Sequence, residues 1–243
     1  MTHDDQKTID LPLLANFVHQ LINPLNGVIG TIDNIIDGTV PGERRDQRLR
    51  AARAQLEWTA LLVRNLAYFT GTSMAPGAPG GTLPQKTCVF PQLIIEAAQF
   101  FQEIGTTRSI SIELSDPRTQ YTTRGSPDLI RQVFMNIFDN AIKYSDEFTK
   151  VLVKTRVQKK TRDLIIEVIN KGIGFSKQDS ARLFEVGFRG KEATERIKSG
   201  TGLGLYICKR IIEDLHNGRI EAEHSVSSRT TVFRIRIPDW KIA

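Results

Sequence analysis

Asn136–Ser145 (NIFDNAIKYS), Asn170–Phe175 (NKGIGF) and Gly200–Leu205 (GTGLGL) are the stretches on which the reading of this chain turns. In the first, Asn136, Asn140 and Lys143 follow one another at intervals of four and three, so they stack on one face of a helix whose other face holds Val133, Ile137 and Phe138. Amide oxygens are hard ligands that suit Mg²⁺, an ion that takes its remaining oxygens from phosphates and water. Lys143 supplies a point charge for phosphate. Asparagine is a poor mid-helix residue for a face that is merely wet, and two of them one turn apart favour a ligand. Tyr144 either covers a base or ribose or belongs to the core.

The second segment follows the apolar run Leu164–Ile169, so Gly172 and Gly174 make a turn without side chains. Such a turn lets a ligand approach backbone closely, and it is also a common way to end a strand. In the third segment Gly200, Thr201, Gly202, Leu203 and Gly204 precede the helical run Leu205, Ile207, Cys208, Ile211 and Ile212. Backbone N–H groups at a helix start bind phosphate through unpaired donors and the local dipole. Three glycines at alternate positions exceed what a helix cap needs. Taken together, the three segments predict a cradle for ATP and Mg²⁺.

At 243 residues, 40% hydrophobic and 25% charged, the chain can hold one or two folded domains. No apolar run is long enough to span a membrane, and MTHDDQK is not the start of a signal peptide, so a cytoplasmic location is expected. Cys88 and Cys208 fit no metal-ligand spacing and are expected to be reduced core residues. The net charge of +6 points to an anionic partner. The basic clusters at Arg44–Arg53 and Lys159–Arg162 read as a solvated helix face and a hairpin turn, so nucleic acid is not expected and a nucleotide accounts for part of the charge.

Upstream, Leu14, Val18, Leu21, Leu25, Val28, Ile32 and Ile35 form a bundle seam, repeated in a second helix by Leu49, Ala52, Leu56, Thr59, Val63 and Leu66. The short connection Gly38–Gly42 makes the two helices antiparallel neighbours. Two such stripes exceed what one hairpin can bury, which predicts a homodimeric four-helix bundle, with a hairpin packed on the rest of its own chain as the alternative. Residues 1–70 are thus a helical hairpin, and 71–87, rich in Gly and Pro, a flexible linker. Residues 88–243 are expected as an α/β sandwich within an α+β chain, a mixed sheet with helices on one face. Its helices are expected at 91–103, 127–144, 177–184 and 202–215, and its strands at 109–114, 151–158, 163–169, 219–223 and 230–237. Phe184–Arg189 and the polar stretch after it, with Lys191, Arg196 and Lys198, read as a mobile lid.

These segments together resemble the sensor histidine kinases of two-component systems, whose catalytic domain is a GHKL (Bergerat-fold) ATPase. Asn136–Ser145 is similar to that family's N box, Asn170–Phe175 to its G1 box, Phe184–Arg189 to its F box and Gly200–Leu205 to its G2 box. The resemblance implies that Asn136 and Asn140 hold Mg²⁺ and that Lys143 and Arg189 contact phosphate. His19-Gln20-Leu21-Ile22-Asn23-Pro24 resembles the phosphoacceptor segment of the dimerisation and histidine-phosphotransfer domain, with His19 five residues before the proline. A neutral imidazole is a competent nucleophile near pH 7. Pro24 removes a donor to the carbonyl of Gln20 and is expected to bend the helix there. His216, in LHNG, reads instead as a helix end capped by Gly218.

The chain departs from the family at three places. Gln20 stands where an acidic residue proposed as general base is usual, and an amide cannot take a proton. Asn170 stands where an aspartate accepts from the adenine amino group; its amide oxygen still accepts, without the charge. In SSRTTVF (227–233), Arg229 stands where glycine is commoner. Asn23, four residues after His19, occupies the position associated with dephosphorylating the partner response regulator. The expected activity is therefore autophosphorylation of His19 and transfer to a receiver-domain aspartate. A phosphatase-biased or pseudokinase scaffold is the rival. The signal is expected to enter from outside these residues.

Overall fold

The structure is a computed structural model describing residues 11–71, 85–101, 105, 108–158, 160–197 and 200–242. Two long helices, α1 (Leu11–Ile36) and α2 (Gly42–Thr70), pack side by side as the expected hairpin. α1 runs unbroken through Pro24. α2 starts after Pro41 and stops at Gly71, whose left-handed φ of 65° lets its N–H reach back to the carbonyls of Ala67 and Tyr68. The greater part of the expected 71–87 linker lies outside the described residues, although β1 (Lys86–Val89) begins inside its bounds.

The seam is split between two faces. Val28, Ala52 and Thr59 are buried and Leu21, Ile35 and Leu66 half-buried, whereas Leu14, Val18, Leu25, Ile32, Leu49, Leu56 and Val63 are exposed. On α1 the exposed set extends to Leu11, Ile22, Ile29 and Ile36, one continuous stripe at intervals of three and four. A different face, carrying Phe17 and Gln20, is buried. Phe17, Leu61, Leu62 and Phe69 join the same core as the C-terminal domain, so the hairpin is docked on that domain.

That domain continues with α3 (Phe90–Phe100), β2 (Ser111–Leu114), β3 (Tyr121–Gly125), α4 (Pro127–Tyr144), β4 (Lys150–Gln158) and β5 (Asp163–Lys171). Short helices α5 (Lys177–Ser180) and α6 (Lys191–Arg196) follow, then α7 (Gly204–Lys209), which runs on as a π-helical turn over Arg210–Leu215. β6 (Arg219–Ser225), β7 (Thr230–Ile237) and β8 (Lys241–Ile242) complete it. The main sheet runs β2-β4-β5-β7-β6, parallel only between β2 and β4, and a small sheet runs β1-β3-β8. This is the α+β, mixed-sheet architecture expected.

Inward residues Val151, Val153, Leu164, Ile166, Val168, Phe233 and Ile235 meet α3, α4 and α7. A charged ladder covers the opposite face: Arg234 bridges Glu167 at 2.8 Å and Glu223 at 3.2 Å, and Arg236 approaches Glu221 at 3.4 Å. One face is therefore dry and helix-covered while the other is built for water. Two expectations are corrected. The helix expected over 177–184 closes at Ser180, held by the Ser176–Asp179 capping box, and the lid contains a helix, α6, that was not expected. Both cysteines are free and buried, and burial pushes the Cys88 thiol up to about 11. Among the described residues no helix is long and apolar enough to cross a membrane.

Candidate nucleotide site

α4 carries the site because its ends are fixed independently of any ligand. Pro127 opens it, Asp128 sits in its first turn and Lys143 in its last. Arg108 donates to the carbonyls of Ile142, Lys143 and Ser145, and Arg196 from the lid also donates to Ser145 O at 2.9 Å. Ser126 N–H donates to His216 Nε2 at 3.2 Å, while His216 Nδ1 lies 2.8 Å from the carbonyl of Ile211. That pairing requires the neutral ring with its proton on Nδ1. Burial holds the imidazole below its usual pKa, against the bond to Ile211. His216 thus clamps the end of the π-helical turn to the start of α4, a stronger role than the simple helix end expected. Beyond it Asn217 takes the left-handed φ of 50°, and Gly218 N–H donates to Ile212 O at 2.8 Å.

Asn136, Asn140, Lys143 and Tyr144 line one cavity of about 110 Å³ together with Arg189, Gly200, Thr201, Gly202 and Gly204, so seven more of the residues singled out from sequence converge with the amide pair. Leu203 is fully buried beneath the loop and serves the core. A smaller cavity of about 70 Å³ shares Asn140 and Tyr144 and is closed by Asn170, Ile173, Gly174, Phe175, Thr231 and Phe233. Apolar walls and a few polar atoms are the makeup of a base pocket.

Asn170 gives this pocket its chemistry. Ser145 Oγ donates to Ala141 O at 2.6 Å, so towards Asn170, 3.2 Å away, it can only accept. Asn170 Nδ2 is therefore the donor in that bond. Its Oδ1 is left buried with no partner. An orphaned acceptor at this depth costs about 1–3 kcal/mol unless a ligand donor meets it. The exocyclic amine of adenine is such a donor, so the residues fit the nucleotide expected.

The glycines divide by cause. A Cβ on Gly172 would lie 2.1 Å from Tyr144 O, and one on Gly174 2.0 Å from His224 Nδ1. Both are thus required by protein packing, and only Gly174 also lines a cavity. Gly202 has φ of 67° and would place a Cβ 2.5 Å from the carbonyl carbon of Gly187, whose N–H donates to Gly202 O at 3.2 Å. This contact welds the glycine loop to Phe184–Arg189. Arg189 donates to the carbonyls of Ala193 and Ile197, which closes α6. Arg229 has φ of 53°, a conformation that explains why glycine is commoner there. Its guanidinium pairs with Asp146 at 3.0 Å and its carbonyl accepts from Gly172 N–H at 2.8 Å.

The hairpin covers the site in a way the sequence did not disclose. Asn65, on α2, donates to Asn136 Oδ1 at 2.9 Å and accepts from Asn136 Nδ2 at 3.3 Å and Gln132 Nε2 at 2.7 Å. Trp58 lies 5.0 Å beneath Lys143 Nζ, which also pairs with Asp139 at 2.5 Å. Asn16 donates to Gly200 O at 2.9 Å, and Gln20, buried, donates to Asn16 Oδ1 at 3.0 Å and lines the cavity. Asn140 Nδ2 donates to the main-chain carbonyl of Asn136 at 3.0 Å, which leaves its amide oxygen available to a cation. His19 and Asn23 are exposed on α1 and line neither cavity, so the structure brings Gln20 to the site but not His19.

Residues 125–241 match the histidine kinase-, DNA gyrase B- and HSP90-like ATPase family. The chain is 31% identical to sensor protein KdpD of Clostridium acetobutylicum over 93% of its own length and 24% of that protein. It is 32% identical to sensor-like histidine kinase SenX3 of Mycolicibacterium smegmatis, again over 93% of the chain and 57% of the relative. The chain thus spans between about a quarter and just over half of these relatives. In fold it is similar to histidine kinase ThkA, solved in complex with response regulator protein TrrA, at a TM-score of 0.57 and 22% identity over 94% of this chain and 61% of that one.

Proposed function

We propose, for a chain whose residues 125–241 match the histidine kinase-, DNA gyrase B- and HSP90-like ATPase family, that it is a sensor-kinase core. It binds ATP with Mg²⁺, phosphorylates itself on His19 and passes the phosphoryl group to an aspartate of a response regulator receiver domain. The observation that carries the reading is the buried, unpartnered Oδ1 of Asn170 at the wall of an apolar pocket beside Asn140. Asn170 accepts from the base amine. Asn136 and Asn140 offer amide oxygens to Mg²⁺, which when bound offsets phosphate charge. Lys143, Arg189 and the N–H groups at the start of α7 face the phosphates. Neutral His19 attacks the γ-phosphorus, the bond to the β-phosphate oxygen breaks and ADP leaves. Positioning and charge do the catalytic work in such transfers.

The exposed stripe Leu11 to Ile36 is the surface on which a second copy completes a four-helix bundle, continued on α2 by Leu49, Leu56 and Val63. The cytoplasm is the compartment consistent with the ATP requirement. The complex recorded for ThkA, a protein similar in fold, supports a receiver domain as partner. Gln20 and Asn23 favour a second reading, a phosphatase-biased scaffold, in which Asn23, exposed one turn beyond His19, orients water on a receiver phosphoaspartate. Incubation with γ-labelled ATP separates the two. An acid-labile, base-stable label that disappears in His19→Ala supports the kinase. Binding of ATP with no label in the wild type refutes it and leaves the scaffold, to be tested by regulator dephosphorylation with Asn23→Ala.

A further inference from the structure

We propose that Asn65 competes with Mg²⁺ for the side chain of Asn136, so that the docked hairpin and a bound Mg-nucleotide exclude one another; this rests on the ATP reading above. Asn65 and Asn136 form a reciprocal amide pair, at 2.9 and 3.3 Å, and both side chains are buried, at 3% and 4% exposure. The buried neighbours of Asn65 on α2 are apolar, Leu61, Leu62 and Phe69, with Phe69 edge-on to Tyr206 of α7 at 6.0 Å. A leucine would suit such a surface without the need for partners. An asparagine there costs free energy unless every polar atom is met, and here Gln132 meets the remaining lone pair at 2.7 Å.

Mg²⁺ demands a near-octahedral oxygen shell at about 2.0–2.1 Å. The Asn65 amine sets the positive edge of its dipole against the oxygen that would enter that shell. The competition extends to two further walls of the site. Trp58 holds Lys143 from below, and Asn16 takes the carbonyl of Gly200 at the glycine loop. The space left under the hairpin is about 110 Å³. Ligand pockets for molecules of nucleotide size run to about 300–1,000 Å³. Opening the hairpin therefore frees the metal amide, the phosphate lysine and the volume together. By linkage, whatever factor the hairpin removes from nucleotide affinity, the nucleotide removes from hairpin docking.

Calorimetric titration of the full chain with the non-hydrolysable analogue AMP-PNP and Mg²⁺ tests this. Asn65→Ala is expected to bind at least about tenfold more tightly than wild type, the order set by losing three neutral hydrogen bonds from the closed state alone. A second measurement leaves Asn65 in place: in Trp240→Phe protein, Trp58 is the sole tryptophan. Its emission should shift to the red as Mg·AMP-PNP opens the hairpin and uncovers the ring. Equal or weaker affinity in Asn65→Ala, or a Trp58 signal unchanged at saturating ligand, overturns the competition and leaves the ATP reading standing. Absence of binding in both proteins overturns the ATP reading and the competition with it.

Discussion

Replacing Asn170 by leucine should weaken ATP binding and spare the fold, two effects that ordinarily travel together. In the unliganded protein Asn170 makes one side-chain hydrogen bond, to Ser145 Oγ at 3.2 Å, and keeps one buried oxygen unpaired. Leucine of similar volume forfeits the first, about 1 kcal/mol, and relieves the second, about 1–3 kcal/mol, so unliganded stability should stay level or rise slightly. Nothing new is orphaned, because Ser145 Oγ still donates to Ala141 O and the pairing of Asn170 with Thr231 in the sheet is main-chain. With ATP bound the balance reverses. The adenine amine would be buried against a methyl group, which costs about 1–3 kcal/mol or roughly 5- to 150-fold in affinity. Calorimetry with Mg·AMP-PNP measures the affinity, and thermal melts without ligand measure the fold. Preference for ATP over GTP, whose ring presents a carbonyl at the same place, should shrink in parallel. Unchanged affinity with intact preference would refute Asn170 as the base acceptor. A melting temperature lowered by several degrees would refute the assignment of Oδ1 as an unmet cost.

Two further tests address the scaffold around the site. Gly202→Ala forces a Cβ into Gly187 at a positive φ, so it should destabilise the protein by about 1–3 kcal/mol and impair nucleotide binding through the displaced lid, both visible in melts with and without nucleotide. His216 is held below its usual pKa, so near pH 6 the unfolded chain binds more protons than the folded one, and stability rises with pH there. The contribution is complete above the unfolded histidine range, about 6.5, and is lost as pH falls below it. Denaturant midpoints compared between pH 7.5 and 5.5 should show this slope in the wild type and a shallower one in His216→Ala.

Legibility followed the range of the interactions. α4 begins and ends where Ser126-Pro127 and the amphipathic pattern place it, because its limits are written in local chemistry. The antiparallel β4–β5 pair was likewise visible as two strands flanking a polar turn. The strands β1, β3 and β8 were not, since four, five and two residues carry no period and are fixed by pairing with one another. Gly172 and Gly174 were legible as special positions, but their cause was not, because Tyr144 and His224 approach them only after folding. Asn65 gave no local signal at all. A single asparagine on a long helix looks like surface, and the side chain that makes it consequential lies 71 residues away.

The faces of α1 connect these findings to the chemistry at His19. Taking Phe17 as reference and 100° per residue, Gln20 and Leu13 lie within about 60° of it, on the docked side, while Val18, Ile22 and Ile29 cluster about 100–140° away on the open stripe. His19 falls about 160° from Phe17, close to neither the closed cavity nor the centre of the stripe, which agrees with its exposure. A second copy on the stripe would therefore leave His19 accessible at the flank. The docked domain, however, presents its cavity to Gln20 of its own helix, one residue and about 100° from the proposed nucleophile. Rotation of a side chain cannot span that angle. In the arrangement proposed here, transfer to His19 requires the catalytic domain to leave the face it occupies, and the amide contacts of Asn16, Gln20 and Asn65 are what it must release. Gln20 then has a reason to be an amide that does not involve proton transfer: a carboxylate would face Asn16 Oδ1, acceptor against acceptor, in a buried place.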